Sequence, residues 1–257
     1  EIRSCPKCDS PYIGGIYAGT QQVEQMVKKF FPKARTLRMD ADTTRGKDKS
    51  ERILKAFSAE KADILIGTQM IVKGHNFSKV TLVGVIAADM TLFASNYRAA
   101  ERTYQLLAQA ISCAAQRELL GEVVIQTYYP EHYSIQAALS QDYEAFYEKE
   151  IDSRELMNYP PVSNLLAVRA SCDREDHLQN AMDYIRRYLL KIKRKKDFQL
   201  VGPAPESIAK IQDYYREVLY LKSKEKQELI RLRELLEHYI ETNSGFASVH
   251  IQFDFNV

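Results

Sequence analysis

Residues 65–77 read Leu-Ile-Gly-Thr-Gln-Met-Ile-Val-Lys-Gly-His-Asn-Phe, and this stretch decides the fold class of the first half of the chain. The apolar run at residues 64–66 predicts a short buried strand. Open α/β sheets bind ligands at the C-terminal ends of their strands. The strand is followed there by small and polar residues that predict a ligand-binding loop: Gly67, Thr68, Gln69, Lys73, Gly74, His75 and Asn76.

On both sides of this stretch, short apolar runs alternate with segments of helical periodicity. We predict strands at residues 15–18, 36–39, 64–66, 81–87 and 123–128. We predict helices at residues 21–31, 50–58 and 98–119, and we expect Thr20 to cap the first of them. Strands separated by single helices indicate a parallel sheet that is covered on both faces.

The second half of the chain has a different rhythm. Helical residues from about 132 to 157 lead out of the first unit, and Tyr159-Pro160-Pro161 cannot continue a helix, so we place a domain boundary there. Beyond it we predict strands at residues 165–172, 206–213, 217–222 and 248–255, and helices at residues 175–195 and 224–240. The order β-α-β-β-α-β is that of the split, ferredoxin-like arrangement.

The composition is typical of a globular cytoplasmic protein. The 257 residues suffice for one large or two ordinary domains, with 45% hydrophobic and 27% charged residues. We find no signal peptide and no apolar run as long as a membrane span. Four scattered cysteines do not make a disulfide framework, which favours a reducing compartment. The net charge of +2 neither demands nor excludes nucleic acid, so the local distribution of charge has to decide.

Several motifs resemble those of the PriA-type replication-restart helicases, a family within helicase superfamily 2. Residues 65–77 resemble the family's fifth helicase motif. Other matches follow in the family's order: Glu101-Arg102-Thr103 with Gln109, Gly-Glu-Val-Val-Ile-Gln-Thr at residues 121–127, and Tyr159-Pro160-Pro161. The resemblance covers nearly the whole chain. It implies an α/β fold with a zinc-segment remnant at residues 1–10, a RecA-like parallel-sheet helicase lobe at residues 11–158, and an α+β ferredoxin-like domain at residues 159–257.

By the same resemblance, one group of residues would couple nucleotide and DNA binding: Gly67, Thr68, Gln69, Lys73, Gly74, His75, Asn76 and Gln109. Asn76 departs from the family, which usually has aspartate there, so this position keeps hydrogen bonding but loses a charge. On pattern alone, an ordinary strand-to-loop transition with a surface lysine is an equally frequent alternative.

The family's sixth motif departs further in this chain. Its two arginines correspond here to Cys113 and Gln116. Those arginines resemble the fingers that stabilise charge on a transferred phosphoryl group. Neither cysteine nor glutamine is a cation, so the arginine-finger motif is degenerate. Arg117 is a weak substitute, because it lies about 100° around a helix from Gln116. We interpret Cys113 as a small buried apolar residue rather than a reactive thiol.

Cofactors are expected only in the intact protein. The sequence contains no Gly-x-x-x-x-Gly-Lys-Ser/Thr phosphate loop and no acidic Walker B strand, so we do not expect this chain alone to hydrolyse ATP. The resemblance implies ATP and Mg²⁺ in the intact protein. The chain begins with Glu1, which suggests a fragment, and Cys5-Pro-Lys-Cys8 is half of a four-ligand zinc site. We therefore expect zinc in the intact protein and no cofactor in this chain.

The second half carries a basic run that points to DNA. Residues 186–196 contain seven basic residues and no acidic one. Arg187, Lys191 and Arg194 lie opposite the apolar face of their predicted helix and can contact phosphates, with Lys210 and Arg216 on the strands that follow. A merely solvated helix face is an equally frequent interpretation of such a run.

Two functions from different classes follow. The first is the C-terminal part of a bacterial replication-restart helicase, whose implied activity is ATP-driven 3'–5' unwinding and primosome assembly. Its implied partners are forked or single-stranded DNA, single-stranded-DNA-binding protein and primosome proteins, and no membrane. The second is a non-enzymatic DNA- or partner-binding scaffold derived from such a helicase. An unrelated enzyme that uses Cys113 with a histidine is disfavoured, since no histidine occupies a recognisable base position.

Overall fold

Two compact units make up the chain in the computed structural model, which describes residues 19–44, 48–71, 77, 79–94, 96–115, 121–193 and 198–256. The first unit contains the described residues between 19 and 93 together with Ala100–Tyr143. The second contains the described residues of Ala94–Ala99 and those between 144 and 256.

The first unit is built of parallel strands and helices. Its elements are α1 (Thr20–Phe30), β1 (Thr36–Met39), α2 (Lys49–Ser58), β2 (Ile64–Gly67), β3 (Leu82–Val85), α3 (Asp89–Leu92), α4 (Ala99–Ala115), β4 (Glu122–Ile125) and α5 (Tyr133–Ser140). Strands β1 and β2 pair in parallel, and so do β3 and β4. Within the described residues these are two separate two-stranded sheets.

A small core lies against strand β1 of this unit. Met39, Leu54 and Phe77 are buried together, and the Phe57 and Phe77 rings meet edge to face with centroids 5.1 Å apart. The apolar residues of α2 fall at helical spacing, as the sequence predicted, and the helix therefore turns Leu54 and Phe57 toward the core.

The second unit has an antiparallel sheet. Its elements are α6 (Tyr143–Met157, of which the first residue belongs to the first unit), β5 (Asn164–Cys172), α7 (Glu175–Ile192), β6 (Gln199–Ile211), β7 (Tyr214–Ser223), α8 (Lys226–Thr242) and β8 (His250–Phe255). The strand order is β6-β7-β5-β8, and every pairing is antiparallel. The mixed α/β class is therefore confirmed, with parallel and antiparallel sheets.

The core of this unit lies between the sheet and its two long helices. One face of β5 contributes Leu166 and Val168, and β7 contributes Leu219 and Leu221. The helices add the buried residues of α7 and α8: Leu178, Ala181, Met182, Ile185, Leu189, Leu229, Leu232 and Leu236. Burial of this many apolar side chains is the main stabilising contribution to the unit.

Several predicted boundaries differ from the structure. Thr20 is the first residue of α1 and Gly19 is the N-cap, because the Thr20 hydroxyl donates to Asp40 instead of capping. Strand β6 begins seven residues before its predicted start. Gly202, Pro203 and Pro205 look like strand breakers, but irregularities in the β6–β7 register absorb them.

The helical region after β4 also differs in detail from the prediction. Residues 132–157 form α5 and α6, separated at Gln141, whose φ of 55° ends the first helix in the left-handed region. The strand predicted at residues 15–18 lies outside the described residues. No described helix has the length and apolarity needed to cross a membrane.

Candidate functional site

The C-terminal ends of β1 and β2 meet at one edge of their sheet. The parallel register pairs Met39 with Gly67, so Asp40 and Thr68 follow side by side. Thr68 and Gln69 are exposed there, whereas Asp40 is buried. This is the edge at which open parallel sheets bind ligands, so three of the predicted residues do lie in that position.

Asp40 organises this edge through its carboxylate. It accepts hydrogen bonds from the Thr20 hydroxyl (2.6 Å) and from the backbone N–H groups of Asp42 (3.1 Å) and Thr43 (2.9 Å). These donors, Thr20 above all, stabilise the charged form and lower the pKa of the Asp40 carboxyl to about 2. Arg38 adds a cation 3.4 Å from the same carboxylate. Asp40 therefore stays ionised at neutral pH and fixes the start of α1 next to the end of β1.

Packing is a sufficient reason for a glycine at position 67. A Cβ atom at this position would lie 2.5 Å from the Met39 carbonyl oxygen and 2.6 Å from the Ile71 Cγ2 atom. The close approach brings the end of β2 against β1 and against the 3-10 turn Gln69–Ile71. The glycine that we predicted to let a phosphate approach thus has a structural reason that does not depend on a ligand.

A second buried carboxylate joins the ends of β3 and β4. Asp89, fully buried at the start of α3, accepts from the Thr127 hydroxyl (2.5 Å) and from the Tyr128 backbone N–H (3.0 Å). The Gln69 amide reaches the Thr91 hydroxyl of α3 at 3.4 Å. The loop after β2, helix α3 and the loop after β4 therefore lie together at one edge of the first unit.

Helix α4 carries two further candidate residues. Gln109 is exposed, and Cys113 lies on the buried side of the helix. Burial raises the pKa of the Cys113 thiol, which disfavours the reactive thiolate. Gln116, the second arginine-finger position, lies outside the described residues.

Other predicted site residues also lie outside the described part of the chain: Cys5, Cys8, Lys73, Gly74, His75, Asn76 and Arg194. No group of three or more metal-ligating side chains occurs among the residues that the structure does describe.

The basic face of α7 is exposed, as its periodicity predicted. Ile185 and Leu189 point into the core, while Arg187 and Lys191 lie one turn apart on the solvent side. Neither cation forms an ion pair with any described residue. Two unpaired cations on one helix face can meet the phosphates of a nucleic acid without first breaking an internal contact.

The two cations predicted on the following strands differ from each other. Lys210 is exposed, with its ammonium 4.3 Å from the centroid of the Tyr215 ring. Arg216 instead forms a 2.6 Å ion pair with Glu206, whose side chain is only 7% exposed and also binds Arg169 at 2.9 Å. The Arg216 charge is thus largely neutralised within the sheet and is the less available of the two for DNA.

Sequence reasoning missed the buried carboxylates Asp40 and Asp89. Each lies within two residues of the end of a predicted strand, in a segment to which we assigned no role. An acidic residue one or two positions after the predicted strands at residues 36–39 and 81–87 is the signal that could have found them.

The family model and the known proteins that match this chain all name replication restart or primosomal proteins. Residues 155–256 match the family described as Primosomal protein N C-terminal domain. The chain is 44% identical over 237 residues to the Replication restart protein PriA of Bacillus subtilis, covering 92% of this chain and 29% of that protein. It is 40% identical over 218 residues to the protein of the same name from Synechocystis sp., covering 85% and 26% of the two chains.

A third relative shows the same relationship. The Replication restart protein PriA of Haemophilus influenzae is 35% identical over 243 residues, covering 94% of this chain and 33% of that protein. The chain therefore spans about a third or less of the length of these relatives. Among solved structures, the de novo designed protein Foldit4 aligns at a TM-score of 0.30 and 10% identity, over 37% of this chain and 97% of that one, which is too low a likeness to support an argument.

Proposed function

Because this chain belongs to the PriA family of replication restart proteins, we propose that it supplies the second helicase lobe and the DNA-binding C-terminal domain of a bacterial replication-restart helicase. The lobe corresponds to residues 11–158 and is RecA-like; its two pairs of parallel strands, connected through helices, support this. The domain at residues 159–257 is ferredoxin-like, which its order β-α-β-β-α-β and its strand order β6-β7-β5-β8 support.

In the intact protein, the proposed position of the nucleotide and the DNA strand is the edge that carries Thr68 and Gln69. ATP with Mg²⁺ would supply the free energy for unwinding there. The exposed side chains in the described part of this edge are the Thr68 hydroxyl and the Gln69 amide, because Asp40 and Asp89 are buried and accept internal hydrogen bonds. These groups do not by themselves fit a polyphosphate. Lys73, which would supply a cation, lies outside the described residues.

DNA binding by the second unit is supported by one observation: Arg187 and Lys191 are exposed on the solvent face of α7, and neither is paired with a described carboxylate. Arg194 extends the same run in the sequence, and Lys210 adds a further exposed cation. Contacts of this kind neutralise phosphates and release counterions, so they bind single-stranded and forked DNA without reading its sequence.

Membership of the family supports the proposed partners and location. Single-stranded-DNA-binding protein and primosome proteins are the proposed partners of the intact protein in the cytoplasm. Cys5 and Cys8 would hold zinc there together with two further ligands from the rest of the protein.

A second candidate function is a non-enzymatic DNA- and partner-binding scaffold. The observation that favours it is the pair of substitutions at the arginine-finger positions, since Cys113 is buried and neither it nor Gln116 carries a charge. Such a protein would keep the basic face of α7 and lose the motor.

Fluorescence anisotropy tests the shared part of both functions. A labelled single-stranded oligonucleotide and a labelled fork, titrated with the chain between low and physiological salt, should bind with an affinity that falls as salt rises. Binding that is absent at low salt would contradict DNA binding by this chain.

A further inference from the structure

The described residues of Ala94–Ala99, which we call the strap, run in the sequence from the end of α3 to the first residue of α4, and they belong to the second unit. The Tyr97 hydroxyl donates to the Asn256 carbonyl at 3.2 Å, and the Arg98 guanidinium donates to the same oxygen at 2.9 Å. Asn256 in turn exchanges two hydrogen bonds with the backbone of Leu165. The strap is thereby fixed to the first residues of strand β5.

A pair of stacked rings makes the second attachment of the strap. The rings of Tyr97 and Tyr159 are nearly parallel, at 9°, with centroids 5.1 Å apart. The Arg154 guanidinium lies 5.4 Å from the Tyr97 ring and donates to the Pro160 carbonyl at 2.9 Å. The position of Tyr97 therefore depends on how the turn that carries Tyr159 is held.

Lys222 of strand β7 holds that turn. Its ammonium lies 3.5 Å from the centroid of the Tyr159 ring and donates to the Met157 carbonyl at 2.9 Å. The residue is only 7% exposed. The ammonium forms no ion pair with a described carboxylate, so a ring face and one carbonyl are its main compensation for lost hydration.

Burial of the Lys222 ammonium opposes folding, because the charged group loses hydration. Burial lowers the pKa of Lys222, which means that the folded state disfavours the charge that the residue carries at neutral pH. A methionine has a similar length and would fill the same space without that cost. The two groups that the ammonium contacts, the Tyr159 ring and the Met157 carbonyl, both lie at the turn that carries Tyr159.

We propose that Lys222, Tyr159 and Tyr97 form a clamp that holds the strap on the second unit and so fixes where helix α4 begins. Helix α4 starts at Ala99, which is the last residue of the strap and belongs to the second unit. Lys222 is the positioning residue: its ammonium orients the Tyr159 ring, and the ring stacks on Tyr97. The clamp does not depend on the proposed DNA binding or on the helicase assignment.

Hydrogen exchange of the intact chain tests the clamp, because the strap has amides whose protection reports on its position. The N–H groups of Asn96, Arg98 and Ala99 are bonded within the strap. Lys222→Met removes the charge and keeps the length. Lys224→Met, at an exposed lysine two residues along the chain, is the matched control.

We expect Lys222→Met to retain or raise the melting temperature while strap amides exchange about tenfold faster, the factor that a desolvated cation–aromatic contact supports. The Lys224→Met control should leave both unchanged. Strap exchange at the wild-type rate in a folded Lys222→Met variant would overturn the proposal.

A second variant decides the outcome if Lys222→Met unfolds. Tyr159→Leu removes the ring that joins Lys222 to Tyr97, and it leaves the hydrogen bond from the Tyr97 hydroxyl to Asn256 in place. Faster exchange confined to the strap would support the clamp. Uniformly faster exchange across the amides of the second unit would overturn it, since Lys222 and the rings would then support the whole core rather than the strap.

Discussion

The Thr20 hydroxyl donates a 2.6 Å hydrogen bond to the Asp40 carboxylate, across twenty residues of sequence. This contact joins the first turn of α1 to the end of β1, and the same carboxylate binds two backbone N–H groups of the loop that follows. Asp40 thus ties α1, the end of β1 and the loop after β1 together.

Replacing Asp40 should destabilise the first unit. Asp40→Ala leaves the Thr20 hydroxyl and two backbone donors without their acceptor, and we expect a loss of about 2 kcal/mol, the range for hydrogen bonds to a charged group. Urea denaturation followed by circular dichroism measures it. The exposed Glu131→Ala in the same unit is the control and should cost little. Equal stability of the two variants would contradict the role of Asp40.

The same carboxylate makes stability depend on pH. Its folded-state pKa of about 2 lies below the usual aspartate value. A depressed carboxyl pKa contributes stability above the unfolded-state value of about 4 and loses it as pH falls through the folded-state value. The difference in urea midpoint between wild type and Asp40→Asn should therefore be largest near pH 6 and shrink below about pH 4. A difference that stays constant down to pH 3 would count against this cause.

Alanine substitutions at two glycines test whether Gly67 is needed for packing in the absence of a ligand. Gly67→Ala should destabilise the chain by about 2 kcal/mol even without ligand, because its Cβ would collide with the Met39 carbonyl and the Ile71 side chain. Gly84→Ala, on strand β3, meets no atom within 4 Å and should be neutral or slightly stabilising. Thermal melts of both variants measure the difference in stability between them. A Gly67→Ala variant as stable as the wild type would show that the structure relaxes around the added Cβ atom at no cost.

The chain alone should not turn over ATP, with or without DNA. The sequence has no phosphate loop, and Cys113 and Gln116 stand at the arginine-finger positions. A coupled steady-state assay with and without an oligonucleotide is the measurement. DNA-stimulated hydrolysis that survives further purification would contradict this expectation.

Periodicity was enough to predict most elements of the second unit, and contacts distant in sequence explain what it missed. The spacing of Leu178, Ile185 and Leu189 placed the core face of α7 correctly and left Arg187 and Lys191 on the outside. These positions follow from 3.6 residues per turn, which needs no tertiary information.

Pairing across strands could not be predicted from one sequence. The neutralisation of Arg216 by Glu206 depends on an irregular register between β6 and β7, at a point where prolines argue against a strand. Likewise, Asp40 and Asp89 become site residues only once the strands that precede them lie beside their neighbours. The clamp of Lys222 on Tyr159 joins residues more than sixty positions apart.

The central claim, that the basic face of α7 binds DNA, is tested most directly by reversing its charges. The triple variant Arg187→Glu, Lys191→Glu and Arg194→Glu is compared with Lys28→Glu, Lys55→Glu and Lys79→Glu, which changes the net charge equally but acts on exposed lysines of the first unit. Circular dichroism establishes that both variants fold.

Fluorescence anisotropy with a labelled single-stranded oligonucleotide over a salt series is the measurement. For the α7 variant the account predicts weaker binding for every oligonucleotide sequence, with a slope of log affinity against log salt that is shallower by about two, as three lost phosphate contacts require. The first-unit variant should keep most of the wild-type affinity and slope. A folded α7 variant that binds with unchanged affinity and slope would contradict the account and leave this helix as a solvated face only.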